Sequence, residues 1–309
     1  MKTQLETLFR RTIYTGTLLL IAFSASAQNM FVGGYGPQSI VEFPTGGGSS
    51  TFASGLNFPG ALAFDSAGDL FEADTLSGKI YKYTYSGGIL NSSAVLFTAG
   101  LSDPRSIAFD KSGNMFVACE GSDSVIEYFA GGGQTTYASI IAASGLAFDR
   151  AGNLFVTGLA NSNPSSGIVA EITPAKVQST IASNLQNPAA LAFNGAGNLF
   201  VSETPGTLNG QILEIAPGQS PTVYASGLNQ PFGLAFDNSG DLFVTDGGIN
   251  SEAGDITEFT AGGSESVFAT SPAKPVSLAF QNVALPVPEP SVFALLAVGA
   301  AAWLKYRRK

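Results

Sequence analysis

One phrase recurs along this 309-residue chain: a short apolar strand ending in phenylalanine, an Asp- or Asn-led turn, then a second apolar strand. The anchor residues are Phe64, Phe109, Phe148, Phe193, Phe236 and Phe280, separated by 45, 39, 45, 43 and 44 residues. A period of about 40–45 residues built from short strands marks a propeller or a solenoid. Repetition of this kind specifies a scaffold and leaves chemistry to whatever varies between copies.

The copy running from Pro231 to Gly263 shows what one unit builds. Gly233-Leu234-Ala235-Phe236 alternates small and large side chains, as a strand with a two-residue period does. Asp237-Asn238-Ser239-Gly240 is a tight turn in which Asp can bind backbone amides and Gly can take positive φ. Leu242 to Thr245, Asp255 to Phe259 and Ser266 to Ala269 supply three further strands. Each unit is therefore predicted to be a four-stranded antiparallel blade. Large first-strand residues (Leu62 and Phe64, Ile107 and Phe109, Leu146 and Phe148) share one face and small ones mostly occupy the other. Neighbouring blades can then pack large against small.

The two ends of the repeat region set the blade count. Asn29-Met30-Phe31-Val32 matches a second strand, and Ser39–Phe43 and Ser50–Ala53 supply a third and fourth. Val276–Phe280 is a first strand with no second strand after it. Five whole units and two complementary fragments predict an all-β, six-bladed propeller whose last blade joins the C-terminal strand to the N-terminal three. Such pairing removes free sheet edges.

Outside the repeats the chain carries two address-like segments. Lys2, Arg10 and Arg11 precede an apolar run from Ile13 to Phe23 and then Ala25-Ser26-Ala27, which reads as a secretory signal peptide over 1–27 cut before Gln28. At the other end, Val287-Pro288-Glu289-Pro290 leads into an apolar stretch from Ser291 to Leu304 and a basic terminus, Lys305 to Lys309. Its 14 residues would rise about 21 Å as a helix, against about 30 Å of hydrocarbon. The basic cluster favours a cytoplasmic C-terminus. The order of Pro288, Glu289, Pro290, apolar stretch and basic end closely resembles a PEP-CTERM sorting signal. That resemblance implies processing by an exosortase after signal peptidase, export, transient membrane anchoring of 285–309, and delivery to the cell surface or an extracellular matrix.

Between these segments, residues 28–288 hold 7 Lys and Arg against 21 Asp and Glu, a net of −14. Such a surface repels phosphate backbones and disfavours nucleic acid. Cys119 is the only cysteine, so no intramolecular disulfide forms. The chain has no histidine, which removes His-dependent lyase chemistry and Ser–His or Cys–His nucleophiles. Cys119 accordingly reads as a buried, inert thiol.

The units from 28 to 284 resemble NHL repeats and the regucalcin/gluconolactonase-like six-bladed propellers: Pro, a Gly-Leu-Ala-like strand, Asp-x-x-Gly-Asn/Asp-Leu-Phe-Val, then Asp or Glu. The resemblance implies the fold directly, while those families include enzymes, binding modules and scaffolds. It also implies a metal held by Asp or Asn just after the loop Pro. The corresponding positions here are Gly60, Arg105, Ala189, Phe232 and Val276, with Ser144 near that place in the third unit, and none is Asp or Asn. The family's N-terminal Glu has no match around Gly36-Pro37-Gln38.

Two other residue sets could carry chemistry. Asp74, Glu120, Glu203 and Asp246 follow second strands, with Gly158 and Gly33 interrupting the series. They could converge on a hard cation such as Ca2+, or each could organise a loop of its own blade. The varied loop residues Phe58, Arg105, Asn187, Gln230 and Phe232, with Asp103 and Lys274, could form a recognition surface for carbohydrate or peptide. Phe58 and Phe232 could equally plug the channel. The reading that follows is an exported, monomeric, non-catalytic binding or scaffold module; a metal-dependent gluconolactonase-like hydrolase is the alternative, and a purely structural matrix component a third.

Overall fold

The computed structural model describes residues 28–281 apart from 37, 164, 205–208, 248–253 and 272–273. Asp- and Asn-led turns fold each repeat into a hairpin. Asp65 Oδ1 accepts the amides of Ala67 and Asp69, both at 2.9 Å, and Asp237 Oδ1 those of Ser239 and Asp241 at 2.8 and 2.9 Å. Gly68 and Gly240 complete these turns at φ of +87° and +85°, values that an L side chain resists.

The hairpins extend into six four-stranded antiparallel sheets. Blade 1 comprises Pro59–Phe64, Leu70–Asp74, Lys79–Tyr83 and Val95–Ala99; blade 2 comprises Pro104–Phe109, Met115–Cys119, Ser124–Tyr128 and Gln134–Ser139. Blade 3 comprises Leu146–Phe148, Leu154–Leu159, Gly167–Ile172 and Gln178–Leu185, and blade 4 Pro188–Phe193, Leu199–Glu203, Gly210–Ile215 and Thr222–Leu228. Blade 5 comprises Pro231–Phe236, Leu242–Asp246, Gly254–Phe259 and Glu265–Ser271. Blade 6 is the composite one, with order Pro275–Phe280, Met30–Gly34, Ser39–Phe43 and Ser50–Ser54. The predicted closure is present. Met30 pairs with Phe280 and Val32 with Leu278, while Gln281 N donates to Asn29 O at 2.9 Å, as Asp65 N does to Asp69 O within blade 1.

Buried side chains fall into six clusters, one at each seam between neighbouring blades. Leu62 and Phe64 of blade 1 meet Phe31, Ile40 and Ala279 of blade 6, while Ala61 and Ala63, on the opposite face, meet Ile107 and Phe109 of blade 2. Large against small is thus the packing rule at these seams. Each seam also carries one edge-to-face phenylalanine pair, formed by a second-strand Phe and the anchor Phe of the next blade. The pairs Phe71–Phe109, Phe116–Phe148, Phe155–Phe193, Phe200–Phe236 and Phe243–Phe280 have centroids 4.9 to 5.1 Å apart, and Phe31–Phe64 closes the ring at 5.5 Å. Such pairs contribute about 0.5–1.5 kcal/mol each beyond the area they bury. The recurring anchor residue is therefore the contact that joins blade to blade.

Some local features depart from the repeat. Blade 1 adds a small hairpin, Tyr85–Ser86 with Ile89–Leu90. In blade 3, which lacks the loop Pro, Ser144 and Gly145 both hydrogen-bond to Thr157, so the regular ladder begins only at Leu146. The third departure lies in the core. Glu72 occupies the place of Val32, Val117, Val156, Val201 and Val244 in the other blades; it is fully buried, and neither its carboxyl oxygens nor the nearby Tyr83 hydroxyl has a hydrogen-bond partner. Burial, and after it the Asp74 charge, push the Glu72 carboxyl up to about 9. Burial also raises Tyr83, with Glu72 adding to the effect.

Among the described residues no helix is long and apolar enough to cross a membrane. The predicted signal peptide over 1–27 and the tail over 285–309, with Pro288, Glu289 and Pro290, lie outside the described residues.

Candidate functional site

The first strands of all six blades line a central channel. A cavity of about 620 Å³ opens at the end where those strands begin. Gly60, Arg105, Ser144, Ala189, Phe232 and Val276, one from each blade, all line it. Equivalent positions on the six first strands thus converge on one opening.

Hydroxyl groups stitch this ring together. Thr75 Oγ1 donates to Pro104 O at 2.8 Å, Thr157 Oγ1 to Ala189 O at 2.7 Å, Ser202 Oγ to Phe232 O at 2.8 Å and Ser277 Oγ to Pro59 O at 3.0 Å. Leu146 N donates to Ser106 Oγ at 3.1 Å. Each bond joins one blade to the next, fixing the channel wall without backbone pairing between sheets. Close approach at blade 6 requires glycine, since a Cβ on Gly33 would stand 2.5 Å from Pro59 O.

The mouth itself is uneven. Arg105 is its one charged ring position, and three groups hold it: Asp103 Oδ2 at 3.0 Å from Nη2, Glu120 Oε2 at 2.6 Å from Nε, and the Phe58 ring, whose centroid lies 5.6 Å from Cζ. The Nε–Glu120 contact is ionic and not a directed hydrogen bond. Phe58 also meets Tyr35 edge-on at 5.2 Å. Phe58, Asp103, Ala142 and Asn187 take φ of +70°, +56°, +49° and +46° in the loops entering the first strands. Left-handed backbone at non-glycine residues costs energy and gathers at ligand-contacting segments.

The predicted recognition residues divide accordingly. Phe58, Arg105, Asn187 and Phe232 line the cavity, with Phe232 36% exposed. The two phenylalanines border an open space and do not plug it. Gln230 is not part of the lining; its backbone amide is held by Asp246.

The acidic series is not a cluster. Asp74 Oδ1 accepts Asn57 N at 3.0 Å, Asp246 accepts Asn229 N and Gln230 N at 2.8 and 2.6 Å, and Glu203 accepts Gln186 N and, at 3.0 Å, Gln211 Nε2. Each fastens the loop that enters its own blade. Glu120 does something else, and the pairing register explains why. Asp74, Glu203 and Asp246 face the loop prolines Pro59, Pro188 and Pro231, but in blade 2 the residue facing Pro104 is Cys119. Glu120 lies one position further, in the turn Glu120–Ser122, which frees it to meet Arg105. The blade 6 equivalent is likewise Gly34, one residue beyond Gly33. The offset has a sequence signal: three residues after the second-strand Phe stand Asp74, Cys119, Gly158, Glu203, Asp246 and Gly34, and strand register agrees. In blade 3 a Cβ on Gly158 would stand 2.5 Å from Ile140 Cγ2, leaving no room for an acid.

Among the described residues no group of three or more His, Cys, Asp or Glu side chains could hold a metal ion. The ring positions where a gluconolactonase-like metal would be bound offer one hydroxyl, one guanidinium and no carboxylate or amide side chain. These residues do not fit such a metal. Cys119 is buried, and burial pushes its thiol up to about 11.

Fold and site together define a six-bladed β-propeller with an open, cation-bearing channel mouth. A beta-propeller repeat model matches residues 128–164, and the PEP-CTERM protein-sorting motif matches residues 286–309. No curated protein matches the chain. Among solved structures, a chain of a nidogen/laminin complex is 18% identical, with 82% of this chain and 98% of that one covered at a TM-score of 0.67. A gluconolactonase from Xanthomonas campestris is 14% identical, covering 82% and 88% at a TM-score of 0.63. Virginiamycin B lyase from Staphylococcus aureus is 15% identical, covering 83% and 88% at a TM-score of 0.56. Likeness at such identities establishes the fold alone.

Proposed function

We propose that this protein is an exported, non-catalytic binding module whose channel mouth recognises a surface glycan or peptide. One observation carries the reading: the ring that would hold a catalytic metal presents Arg105 in place of carboxylates or amides, beside the rim residues Phe58, Asn187 and Phe232. Paired with Asp103 and Glu120, the Arg105 guanidinium brings planar N–H donors for hydroxyl or carbonyl oxygen and not net positive charge. The aromatic rim adds apolar contact, and the mixed lining suits a small convergent site. The sorting motif supports delivery by an exosortase, with the tail anchored in the membrane before processing and the propeller held at the surface or in a matrix afterwards.

The likeness to gluconolactonases favours a second reading, a hydrolase with a rearranged metal site. Glycan and peptide arrays probed with wild type, Arg105→Ala and Phe232→Ala separate the two, together with elemental analysis of purified protein. Binding that drops at least tenfold in both variants, with no stoichiometric divalent metal, supports recognition. Metal at one equivalent with metal-dependent lactone hydrolysis overturns it.

A further inference from the structure

A second concave surface lies at the other end of the same strands. Arg105 is the second residue of the first strand of blade 2, at the channel mouth, and Phe109 ends that strand four residues later, roughly 13 Å away. There a groove of about 330 Å³ runs between blades 2 and 3. Its floor is aromatic: Phe116 meets Tyr137 and Phe148 edge-on, each at 4.9 Å. Its rim is basic: Lys111, Arg150 and Lys176 all line it.

That charge distribution is unusual for this chain. Only 7 Lys and Arg occur in residues 28–288, against 21 Asp and Glu, and three of the seven meet at this groove. Among the described residues the ion pairs involve Lys82 and Arg105, never these three. Lys111 Nζ donates to Arg150 O and the Arg150 guanidinium to Gly195 O, which fixes their position while leaving most of their donors free. Three acids, Asp110, Glu127 and Asp149, line the groove as well, and none of them forms an ion pair with the bases. Asp110 and Asp149 use both oxygens inside their own turns. Glu127 is largely buried beside the floor, and burial raises its carboxyl although Lys176 pulls the other way.

The backbone adds an independent mark. Gly47, Gly132 and Gly263 hold one turn position in blades 6, 2 and 5, with φ of +87°, +94° and +84°. Their amides bond back three residues to Pro44, Phe129 and Thr260. Lys176 makes the same bond to Thr173 and sits at φ +60°, a lysine where three blades use glycine. The strained turn presents its ammonium 4.7 Å from the Tyr137 centroid, over the aromatic floor. Side chains kept at strained positions point to a role beyond folding.

We propose that this groove is a binding site for an acidic saccharide, whose ring lies against Tyr137 and Phe148 while its carboxylate meets Lys111, Arg150 and Lys176. The three bases are concentrated here, whereas acids outnumber bases over the rest of residues 28–288. The site is separate from the channel mouth and does not depend on the reading given to it.

Titration calorimetry of the full chain with a galacturonate tetramer, maltotetraose and tetraglutamate tests the proposal. Galacturonate is expected to bind and to weaken as salt rises, while maltotetraose and tetraglutamate bind at least tenfold more weakly. Lys176→Gly should reduce affinity tenfold or more without lowering the melting temperature, because glycine suits that backbone. Lys176→Gln should show the same loss, and Lys176→Arg should retain binding. No galacturonate binding, or wild-type affinity in both Lys176→Gly and Lys176→Gln, would overturn the groove. Equal binding of maltotetraose would overturn the role of charge, and equal binding of tetraglutamate the saccharide class.

Discussion

Replacing Glu72 with valine gives blade 1 the side chain that its five siblings carry at that position. The native acid is buried without a partner, and its carboxyl is raised to about 9 from an ordinary 4.5. The folded chain therefore keeps a proton that the unfolded chain releases. The stability tied to the neutral acid is complete below pH about 4.5 and drains away as pH climbs towards about 9. At pH 7 some 2.5 pH units of that interval have been crossed, which at about 1.4 kcal/mol per unit disfavours folding by about 3.5 kcal/mol. Valine removes this term and the unsatisfied oxygens, offset by about 0.5–1.5 kcal/mol for lost packing volume. A net gain of about 2–3 kcal/mol raises the melting temperature by roughly 4–12 °C in a domain of this size. Thermal melts at pH 5, 7 and 8.5 provide the assay. The wild type should lose stability relative to Glu72→Val by up to about 1.4 kcal/mol per pH unit, and Glu72→Gln should share the variant's flatter profile. Parallel stability profiles across that range, or a valine variant less stable than wild type at pH 7, would refute the reasoning.

Two further outcomes follow from the core. Cys119 is buried, with its thiol raised to about 11, so maleimide or iodoacetamide should leave the native chain unlabelled at pH 8 and modify it stoichiometrically in denaturant; rapid native labelling would contradict the burial. Phe280→Ala removes one member of the ring pair at the seam between blades 5 and 6, and should cost about 3–5 kcal/mol in urea unfolding; a loss under about 1 kcal/mol would mean that this pair does not hold the closing strand.

Much of the fold was legible because a propeller writes its geometry into repetition. The anchor phenylalanines predicted blades, and the same residues form the aromatic pairs joining them. The complementary end fragments predicted closure, and Met30 does pair with Phe280. The site was legible only in outline. The ring positions from Gly60 to Val276 line one cavity as expected, because equivalent positions on repeated strands must converge. Of the acidic series, Asp74, Glu203 and Asp246 organise loops of their own blades, one of the two readings open from sequence. Glu120 departs because Cys119, three residues after Phe116 as Asp74 is after Phe71, holds the equivalent place and faces Pro104. Gln230 misled, as its amide, held by Asp246, belongs to the loop frame and not to the channel mouth.

By itself the sequence determined the blade architecture, the number of blades and the presence of a C-terminal sorting motif. These depend on patterns local to one strand, turn or segment, repeated until no other closure satisfies them. Only the tertiary structure decided which side chains meet. The Arg105 cluster, the seam that buries Glu72 and the basic groove around Lys176 each combine residues from loops, strands or blades distant in sequence. Contact of that kind follows from how sheets stack around an axis, which periodicity alone does not encode.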